Sequence, residues 1–436
     1  LTFQNIIKAR TINLETGRFS VGIFARLIMV FQTNAIAAGI GSTVVSDQWW
    51  KRPDDEKFLS LESLYASKRN MANTMQSVVV NTHELEVVGE VDEANPTRGS
   101  VSVNFKGRYE DTEALPTHWS FGQLSQLSGA PASYLRDLPA PLAADCVQWG
   151  LRYNRSRESV KLYSSARKAV VDHNNHVHEH SDAQLRAATG PDYGRIYDWE
   201  IIKPVMDLVE RSGGAWKIPG MMTGYGNGMA TYDPDVPVTL ETTTLFASDH
   251  DVFMFLVDDR NPIEIGRLPN GEPDLVFRGF YVSNSETGAG TAIIAAFYLR
   301  GVCANRCLWG VENFHEIKIR HTKFAPDRFA AEAQPALASF ANGSTRTFIE
   351  GVEAAKAAQV ASDDDARLEF LTKRAGLSAR MGRAAMARHV EEEGRPASNV
   401  WDMAQAITAV ARDVTHQDRR LELEKKAGDI LDKVAA

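Results

Sequence analysis

Apolar and polar residues recur with short periods along the first half of the chain and predict a mixture of helices and strands. Residues 58–72 carry apolar side chains at helical spacing, with Ser60 as the predicted N-cap. Alternation at 85–91 and 100–105, with the turn signal Asn-Pro-Thr-Arg-Gly between them, predicts two strands. From Thr117 the spacing becomes helical again, so helices and strands alternate in this half.

The next part of the chain is more apolar and predicts a β-rich core. We expect a hairpin at 159–171 and a helix at 198–212 that stops at a Gly-Gly pair. The short apolar run 251–259 predicts a strand buried on both faces. The longer run 291–310 fits a buried strand or a buried helix, and its alanines and length favour the helix.

The last part of the chain, 327–436, is rich in Ala, Glu, Lys and Arg and predicts three or four helices. Apolar stripes on two of its segments must be buried on the β-rich core or on a neighbouring subunit. These stripes are Leu368, Leu371, Ala375 and Leu377 in one segment, and Val400, Met403, Ile407 and Val410 in the other. We take the second option and expect a homo-oligomer.

Together these patterns predict an α+β fold with a central, largely antiparallel sheet, helices on one face and a helical C-terminal region. We expect residues 1–57 to be an atypical N-terminal extension, 58–326 an α+β core and 327–436 the helical region. The charged run Lys51–Lys57 is interpreted as a surface junction, and the Pro326 boundary as sensitive to proteases.

Composition narrows the class of protein further. With 44% hydrophobic and 24% charged residues over 436 positions, the chain is globular and is neither disordered nor fibrous. Three cysteines, Cys146, Cys303 and Cys307, form a poor disulfide framework and suit a reducing cytoplasm. Arg26 and Gln32 interrupt the apolar segment 21–41, so its uninterrupted apolar run is far below the ~20 residues of a bilayer span, and we expect no membrane partner.

Several motifs resemble one known family. They are THWSFGQLSQLSGAPASYLRDLP (117–139), RAATGPDYGRIYDWEII (186–202), LFASDHDVFMFLVD (245–258), FRGFYVSNSETGAGTAIIAAFYLRGVCANRCLWG (277–310) and IRHT (319–322). The chain resembles the DUF932 family over about 58–330, with the signature residues Asn284, Ser285, Glu286 and Asn305. The resemblance implies a phage or plasmid origin and, by analogy, a link to single-strand annealing in recombination. The signature forms either a tight turn or the lining of a functional cleft.

A histidine cluster is the densest group of metal-ligand side chains in the sequence. His173, His176, His178 and His180 suit Zn, Ni or Cu, and in an extended segment the last three project to one face. A solvated polar loop is the simpler interpretation, and we expect no cofactor. The alternative is a metal-dependent hydrolase or nuclease that also uses Asp249 or His250.

Two further polar segments have simpler interpretations. Ser248-Asp249-His250-Asp251 stands at the start of the buried run and could position a base or a metal. We prefer a turn in which Asp249 accepts from neighbouring backbone N–H groups. The Gly-rich segment 220–228 lacks a phosphate-binding Lys-Ser/Thr pair, which favours a hairpin tip over a nucleotide site.

Cations interleaved with aromatic residues occur in two places and predict a site for single-stranded nucleic acid. The first set is Arg152, Arg155, Arg157 and Lys161, and the second is Arg300, Arg306, Lys318, Arg320 and Lys323. The alternative is two solvated faces balanced by neighbouring acids. We therefore predict a non-enzymatic protein that binds single-stranded DNA. A self-assembling structural or host-takeover protein remains the other class.

Overall fold

The fold comprises eleven described helices and nineteen described strands. The computed structural model describes residues 52–435, with gaps at 93–94, 109, 154–158, 166–167, 172–176, 182, 219–221, 224–230, 233–236, 241–242, 269–270, 301–305, 308–316, 343–344, 361–362 and 415–416. The helices are α1 (Leu61–Asn73), α2 (His118–Ser128), α3 (Ala132–Leu135), α4 (Ala140–Tyr153), α5 (Asp198–Arg211), α6 (Ala325–Asn342), α7 (Arg346–Ala357), α8 (Asp364–Glu369), α9 (Ala379–Glu393), α10 (Val400–Arg412) and α11 (Gln417–Ala435).

The strands fall into two main sheets and two small hairpins. They are β1 (Lys57–Phe58), β2 (Met75–Asn81), β3 (Glu86–Asp92), β4 (Asn95–Lys106), β5 (Asp111–Pro116), β6 (Ser159–Ser165), β7 (Lys168–Val171), β8 (Val177–Ser181), β9 (Ala183–Thr189), β10 (Trp216–Lys217), β11 (Met222–Thr223), β12 (Thr231–Tyr232), β13 (Leu245–Ala247), β14 (Val252–Asp258), β15 (Ile263–Arg267), β16 (Pro273–Asn284), β17 (Ala292–Arg300), β18 (Arg306–Cys307) and β19 (Ile317–Ile319). β7 pairs with β8, and β11 pairs with β12.

The described chain forms two compact units. Unit 1 comprises residues 74–191, and unit 2 comprises 52–73 together with 192–435. Within the described residues, unit 1 is therefore inserted into the sequence of unit 2. The division between the units differs from the predicted boundary at Pro326, which lies in the first turn of α6.

Unit 1 is built on a six-stranded sheet in the order β2-β6-β9-β5-β4-β3. All its neighbouring strands are antiparallel except β5 and β9, which are parallel. Helices α2 and α4 bury Leu124 and Val147 against sheet residues such as Val103. The two helices approach closely, because a Cβ at Gly150 would stand 2.1 Å from the Ser128 carbonyl oxygen.

Unit 2 contains an antiparallel nine-stranded sheet whose main path is β1-β13-β14-β16-β17-β18. On one face, Met254 and Phe280 pack against α1, α5 and α6 through side chains such as Leu64, Ile201 and Phe329. On the opposite face, aromatic side chains of β14, β16 and β17 form a separate buried layer, which contains Phe253, Phe255, Phe277, Tyr281 and Phe297. Both faces of these central strands are therefore buried.

Helices α7 to α11 form a second helical layer of unit 2. Their buried residues, which include Leu371, Trp401 and Ile407, pack with Val276 and Tyr298 of the sheet. Strand register places Val276 and Tyr298 on the same face as Phe280, so both helical layers cover one face of the sheet. Helices on one face were predicted, and this arrangement agrees.

The α+β prediction is confirmed, with two main sheets in place of one central sheet. The predicted helix at 198–212 corresponds to α5, and Ser60 accepts from the Ser63 amide at 3.1 Å, as an N-cap does. The helix predicted in 291–310 is wrong where the structure describes it, since strand β17 lies there. A strand buried on both faces shows the same continuous apolar run as a buried helix.

Two other predictions of local structure are corrected. Residues 159–171 do not form one hairpin: β6 pairs with β2 and β9, whereas β7 pairs with β8. The apolar stripes predicted to join subunits are largely buried within the chain, with Leu371 and Met403 fully enclosed in the second helical layer. The first of the two burial options therefore applies, and these stripes supply no argument for an oligomer.

Candidate functional site

Four of the family-like motifs meet in one buried polar network of unit 2. The network joins the β13–β14 turn, the β16–β17 turn, the segment before α5 and the segment after β19. Its buried members are Arg52, Lys68, Arg195, Asp198, Ser248, His250, Asp251, Asn284, Ser285, Glu286 and Thr287. Buried polar groups at this density require mutual hydrogen bonds, and the contacts below supply them.

The β13–β14 turn is organised by a serine. Ser248 Oγ accepts from the backbone N–H groups of His250 and Asp251, each at 3.2 Å, and donates to the Asp251 carboxylate at 2.6 Å. The turn interpretation fits this segment, and Ser248 is the side chain that accepts from these two backbone amides. The short serine side chain stabilises the tight turn between β13 and β14, because its hydroxyl can accept from the amides two and three residues further along the chain.

Arg52 supplies the counter-ion of this turn. Its guanidinium makes two hydrogen bonds to the Asp251 carboxylate, at 2.8 and 2.6 Å, and lies over the Phe246 and Phe253 rings. Burial raises the pKa of the Asp251 carboxyl, but the charge and hydrogen bonds of Arg52 outweigh it and hold that pKa below its ordinary value. The predicted surface junction is therefore wrong at Arg52, which is buried.

The signature turn after β16 is bonded to the turn after β13. Ser285 Oγ donates to the His250 carbonyl at 2.6 Å and accepts from the Ala289 amide at 2.9 Å. Thr287 Oγ1 donates to the same His250 carbonyl at 3.3 Å. The hydroxyls of Ser285 and Thr287 thus connect the end of β16 to the start of the neighbouring strand β14.

The remaining signature side chains bind the start of α5. Asn284 Nδ2 donates to the Ile196 carbonyl and to Asp198 Oδ1, both at 2.9 Å. Glu286 Oε2 accepts from the Asp198 amide at 3.2 Å, and a carboxylate at a helix N-terminus is favoured by the helix dipole. Lys68 Nζ lies 3.4 Å from Asp198 Oδ2 and also donates to the Ser248 carbonyl. Asp198 therefore connects α1, α5 and the signature.

A stacked pair closes the network beside the signature. The rings of Tyr193 and His321 stack at 5.0 Å, and Tyr193 Oη donates to the Ser285 carbonyl at 3.1 Å. Arg195 donates to the Glu286 carbonyl. Burial lowers the pKa of His321 to about 4, because its effect is larger than that of the hydrogen bond with the Gly194 carbonyl, which raises the pKa. His321 is therefore neutral at pH 7.

The contacts of this network stabilise the fold and do not form a catalytic arrangement. Ser248 Oγ and Asp249 Oδ1 both approach the same nitrogen, His250 Nδ1, at 3.0 and 2.6 Å, so they do not form the relay of a hydrolytic triad. Ser248 and His250 are buried, and the Ser248 hydroxyl already donates to Asp251. Of the two interpretations offered for the signature, the turn fits Asn284, Ser285 and Glu286. Asn305 lies outside the described residues.

The predicted cations of the second basic set separate into two groups. Arg300 is buried and is bound by both oxygens of Asp274 at 2.9 Å and by Glu393, so it is not available for a phosphate. Its inclusion is corrected, because a cation that ends a buried strand is indistinguishable in sequence from a solvated one. Lys318, Arg320 and Lys323 are exposed on β19 and after it.

An exposed ring accompanies these three cations. Phe324 is 64% exposed, and Lys323 Nζ stands 6.0 Å from its ring centroid. For Arg306, on β18, only the backbone is described.

The first basic set lies in unit 1. Arg152 is exposed in the last turn of α4, next to Trp149 and Tyr153, whose side chains are 67% and 63% exposed. The centroids of these two rings are 5.2 Å apart. Lys161 is half-buried on β6, whereas Arg155 and Arg157 lie outside the described residues.

The predicted histidine cluster is only partly described. His173 and His176 lie outside the described residues, and His178 and His180 lie on β8, which pairs with β7. Among the described residues, no group of three or more His, Cys, Asp or Glu side chains could hold a metal ion. No described helix is long and apolar enough to cross a membrane.

Comparison with known proteins identifies one family. Residues 235–427 match the sequence profile described as "Domain of unknown function (DUF932)". This is the predicted family, and the match supports that prediction over these residues. The match includes the signature and helices α7 to α10, whereas the similar motifs at 117–139 and 186–202 lie outside it. No curated protein and no solved structure gives a significant match.

Sequence reasoning missed the basic partners of the network. Arg52 and Lys68 were not singled out as site residues, and Asp198 was assigned only to a helix. Their partners stand far away in sequence, 199 residues from Arg52 to Asp251 and 180 from Lys68 to Ser248. The available signal was the set of family-like motifs, whose members share one network.

Proposed function

We propose that this DUF932 protein is a non-enzymatic nucleic-acid-binding protein that takes single strands, acting in the cytoplasm in a mobile-element context. The observation that carries the proposal is the pairing of exposed cations with exposed rings. Arg152 stands with Trp149 and Tyr153 in unit 1, and Lys323 with Phe324 in unit 2. The sparse cysteine content supports a reducing compartment.

Two large aromatic side chains exposed side by side, as Trp149 and Tyr153 are, can provide a stacking surface for a ligand. Trp149 and Tyr153 are four residues apart on α4, so they lie on one face of the helix. Unpaired bases offer π-faces to such rings, and each stacked base contributes about 1–3 kcal/mol. Neighbouring cations then follow the phosphates and release counterions. This combination favours single strands, because bases in a duplex are already stacked.

The proposal is tested by fluorescence anisotropy of the full-length protein with a labelled dT30 oligonucleotide over a salt series. Changing Lys318, Arg320 and Lys323 to Glu should lower the salt slope by about 2, since each phosphate contact on a single strand contributes roughly 0.7. The matched control reverses three exposed cations elsewhere in unit 2: Arg267, Arg346 and Lys373.

A second pair of variants tests the rings. Trp149→Ala with Tyr153→Ala should weaken dT30 binding about tenfold or more. Tyr134→Ala removes another exposed ring of unit 1, 60% exposed, and should leave binding unchanged. Absence of dT30 binding at low salt, or equal losses in the test and control variants, would show that the proposed function is wrong.

A further inference from the structure

Two helical segments of the DUF932 region are joined by a short turn. Helix α8 continues into the π-helical turn Phe370–Arg374, and α9 begins after three further residues and the N-cap Ser378. Ser378 Oγ accepts from the Met381 amide at 3.3 Å, which fixes the start of α9. The segment is therefore a helix, a four-residue connection and a second helix.

The connection contains a glycine that its geometry requires. Gly376 has a φ of 67°, in the left-handed region that side chains disfavour. The next amide, Leu377 N–H, donates to the Leu371 carbonyl at 3.0 Å and folds the chain back. A Cβ at Gly382 would stand 2.8 Å from Leu368 Cδ1, so α9 lies directly against the first segment.

The two faces of this pair differ in character. Leu371, Ala375, Leu377 and Ala385 are buried in the second helical layer. The outer face of α9 exposes Arg380, Arg383, Ala384 and Ala387, which recur at helical spacing. Small residues between the arginines leave room for a close partner.

The charges on that outer face are unusual for this region. Most nearby basic residues have ion pairs, such as Lys373 with Glu369 at 2.6 Å and Arg388 with Glu391 at 3.1 Å. Arg374, Arg380 and Arg383, in contrast, form no ion pair with any residue that the structure describes. Arg380 lies in the first turn of α9, where the helix dipole disfavours cations. A polyanionic partner would offset that cost.

We propose that residues 364–393 are a helix-turn-helix that binds double-stranded DNA. In this motif the second helix enters the major groove, and its N-terminal residues contact base edges while the first helix lies near the backbone. Here α9 is the helix in the groove, Arg380 and Arg383 face the bases or flanking phosphates, and Arg374 contacts the backbone. The activity goes beyond single-strand binding and uses a different surface.

The test compares duplex and single-strand binding by the full-length protein at 50 mM and 150 mM NaCl. The probes are a labelled 24-base-pair duplex of mixed sequence and one of its strands. Arg380→Ala with Arg383→Ala should weaken duplex binding about tenfold or more and leave single-strand binding unchanged. The control, Arg267→Ala with Arg346→Ala, should change duplex binding less than about twofold.

A second variant tests the outer face of α9 without removing either arginine. Ala384→Glu keeps both arginines and adds a carboxylate to the exposed face, so it should also weaken duplex binding. The inference is overturned if the duplex does not bind at 50 mM NaCl, if the control loses as much, or if duplex and single strand weaken equally. If the full-length protein binds the duplex but not the single strand, the proposed function is wrong and this inference still holds.

Discussion

Replacing Arg52 by Met should destabilise unit 2 strongly, because it leaves the Asp251 carboxylate buried without its counter-ion. Arg52 makes two hydrogen bonds to that carboxylate, and Ser248 makes another. Removing one partner of a buried ion pair typically costs about 3–5 kcal/mol. The remaining Ser248 bond places the expected loss near the lower end, at about 3 kcal/mol.

The pH dependence of this loss follows from the protonation of Asp251. In the parent protein its pKa lies below the ordinary 3.8, so its stabilisation is present above that pH and is lost below it. In the variant, burial raises the pKa, and folding takes up a proton. Because the variant can protonate Asp251, the loss cannot exceed the free energy of protonating an ordinary carboxyl, which is about 4 kcal/mol at pH 7. This upper limit falls by about 1.4 kcal/mol for each unit by which the pH is lowered. The deficit should therefore shrink between pH 7 and pH 5.

Hydrogen exchange in a urea series measures this loss for each unit separately. Peptides from β14 and β16 report on unit 2, and peptides from β4 and β6 report on unit 1, which should not change. Arg346→Met, on an exposed helix face, is the matched control and should match the parent within error. A deficit below about 1 kcal/mol, or one that grows as the pH falls, would refute the reasoning.

Three further predictions concern other parts of the two units. Ser285→Ala removes a donor to the His250 carbonyl and should lower the stability of unit 2 by about 1–3 kcal/mol in the same exchange experiment. An unchanged stability would contradict the structural role of this side chain. Gly150→Ala places a Cβ against the Ser128 carbonyl and should cost about 1–3 kcal/mol in unit 1 peptides alone. NMR titration of His321 should give a midpoint near 4, and the stability that depends on it should fall as the pH drops from 6.5 towards 4, whereas a midpoint near 6.5 would contradict its burial.

Local patterns predicted the elements whose two faces differ. Helix α5 carries one apolar face and ends at a Gly-Gly pair, so both its type and its end were visible in the sequence. Strand β17 is buried on both sides and lacks the alternation that distinguishes a strand from a buried helix. The number of sheets was also hidden, because sheet pairing depends on contacts between distant segments.

The polar network could likewise be predicted only in part from the sequence. The motifs that contain Asn284, Ser285 and Glu286 could be marked in the sequence, but their partners could not. A charged side chain such as Arg52, set among other charges, has the sequence pattern of a solvated junction. Only the fold shows that its guanidinium neutralises Asp251. Exposure of a cation carries no such long-range condition, and Lys318 and Lys323 lie on the surface, as lysines ordinarily do.

The inserted position of unit 1 has a consequence for how the chain folds during synthesis. The described part of unit 1, residues 74–191, is continuous in sequence, so its sheet is complete once residue 191 has left the ribosome. Arg52 and α1, in contrast, wait for Asp251 and the strands that follow it, 199 residues later. At about 5–20 residues per second this interval lasts about 10–40 s. Until Trp199 of α5 has been made, α1 lacks this partner and exposes apolar side chains to which chaperones can bind.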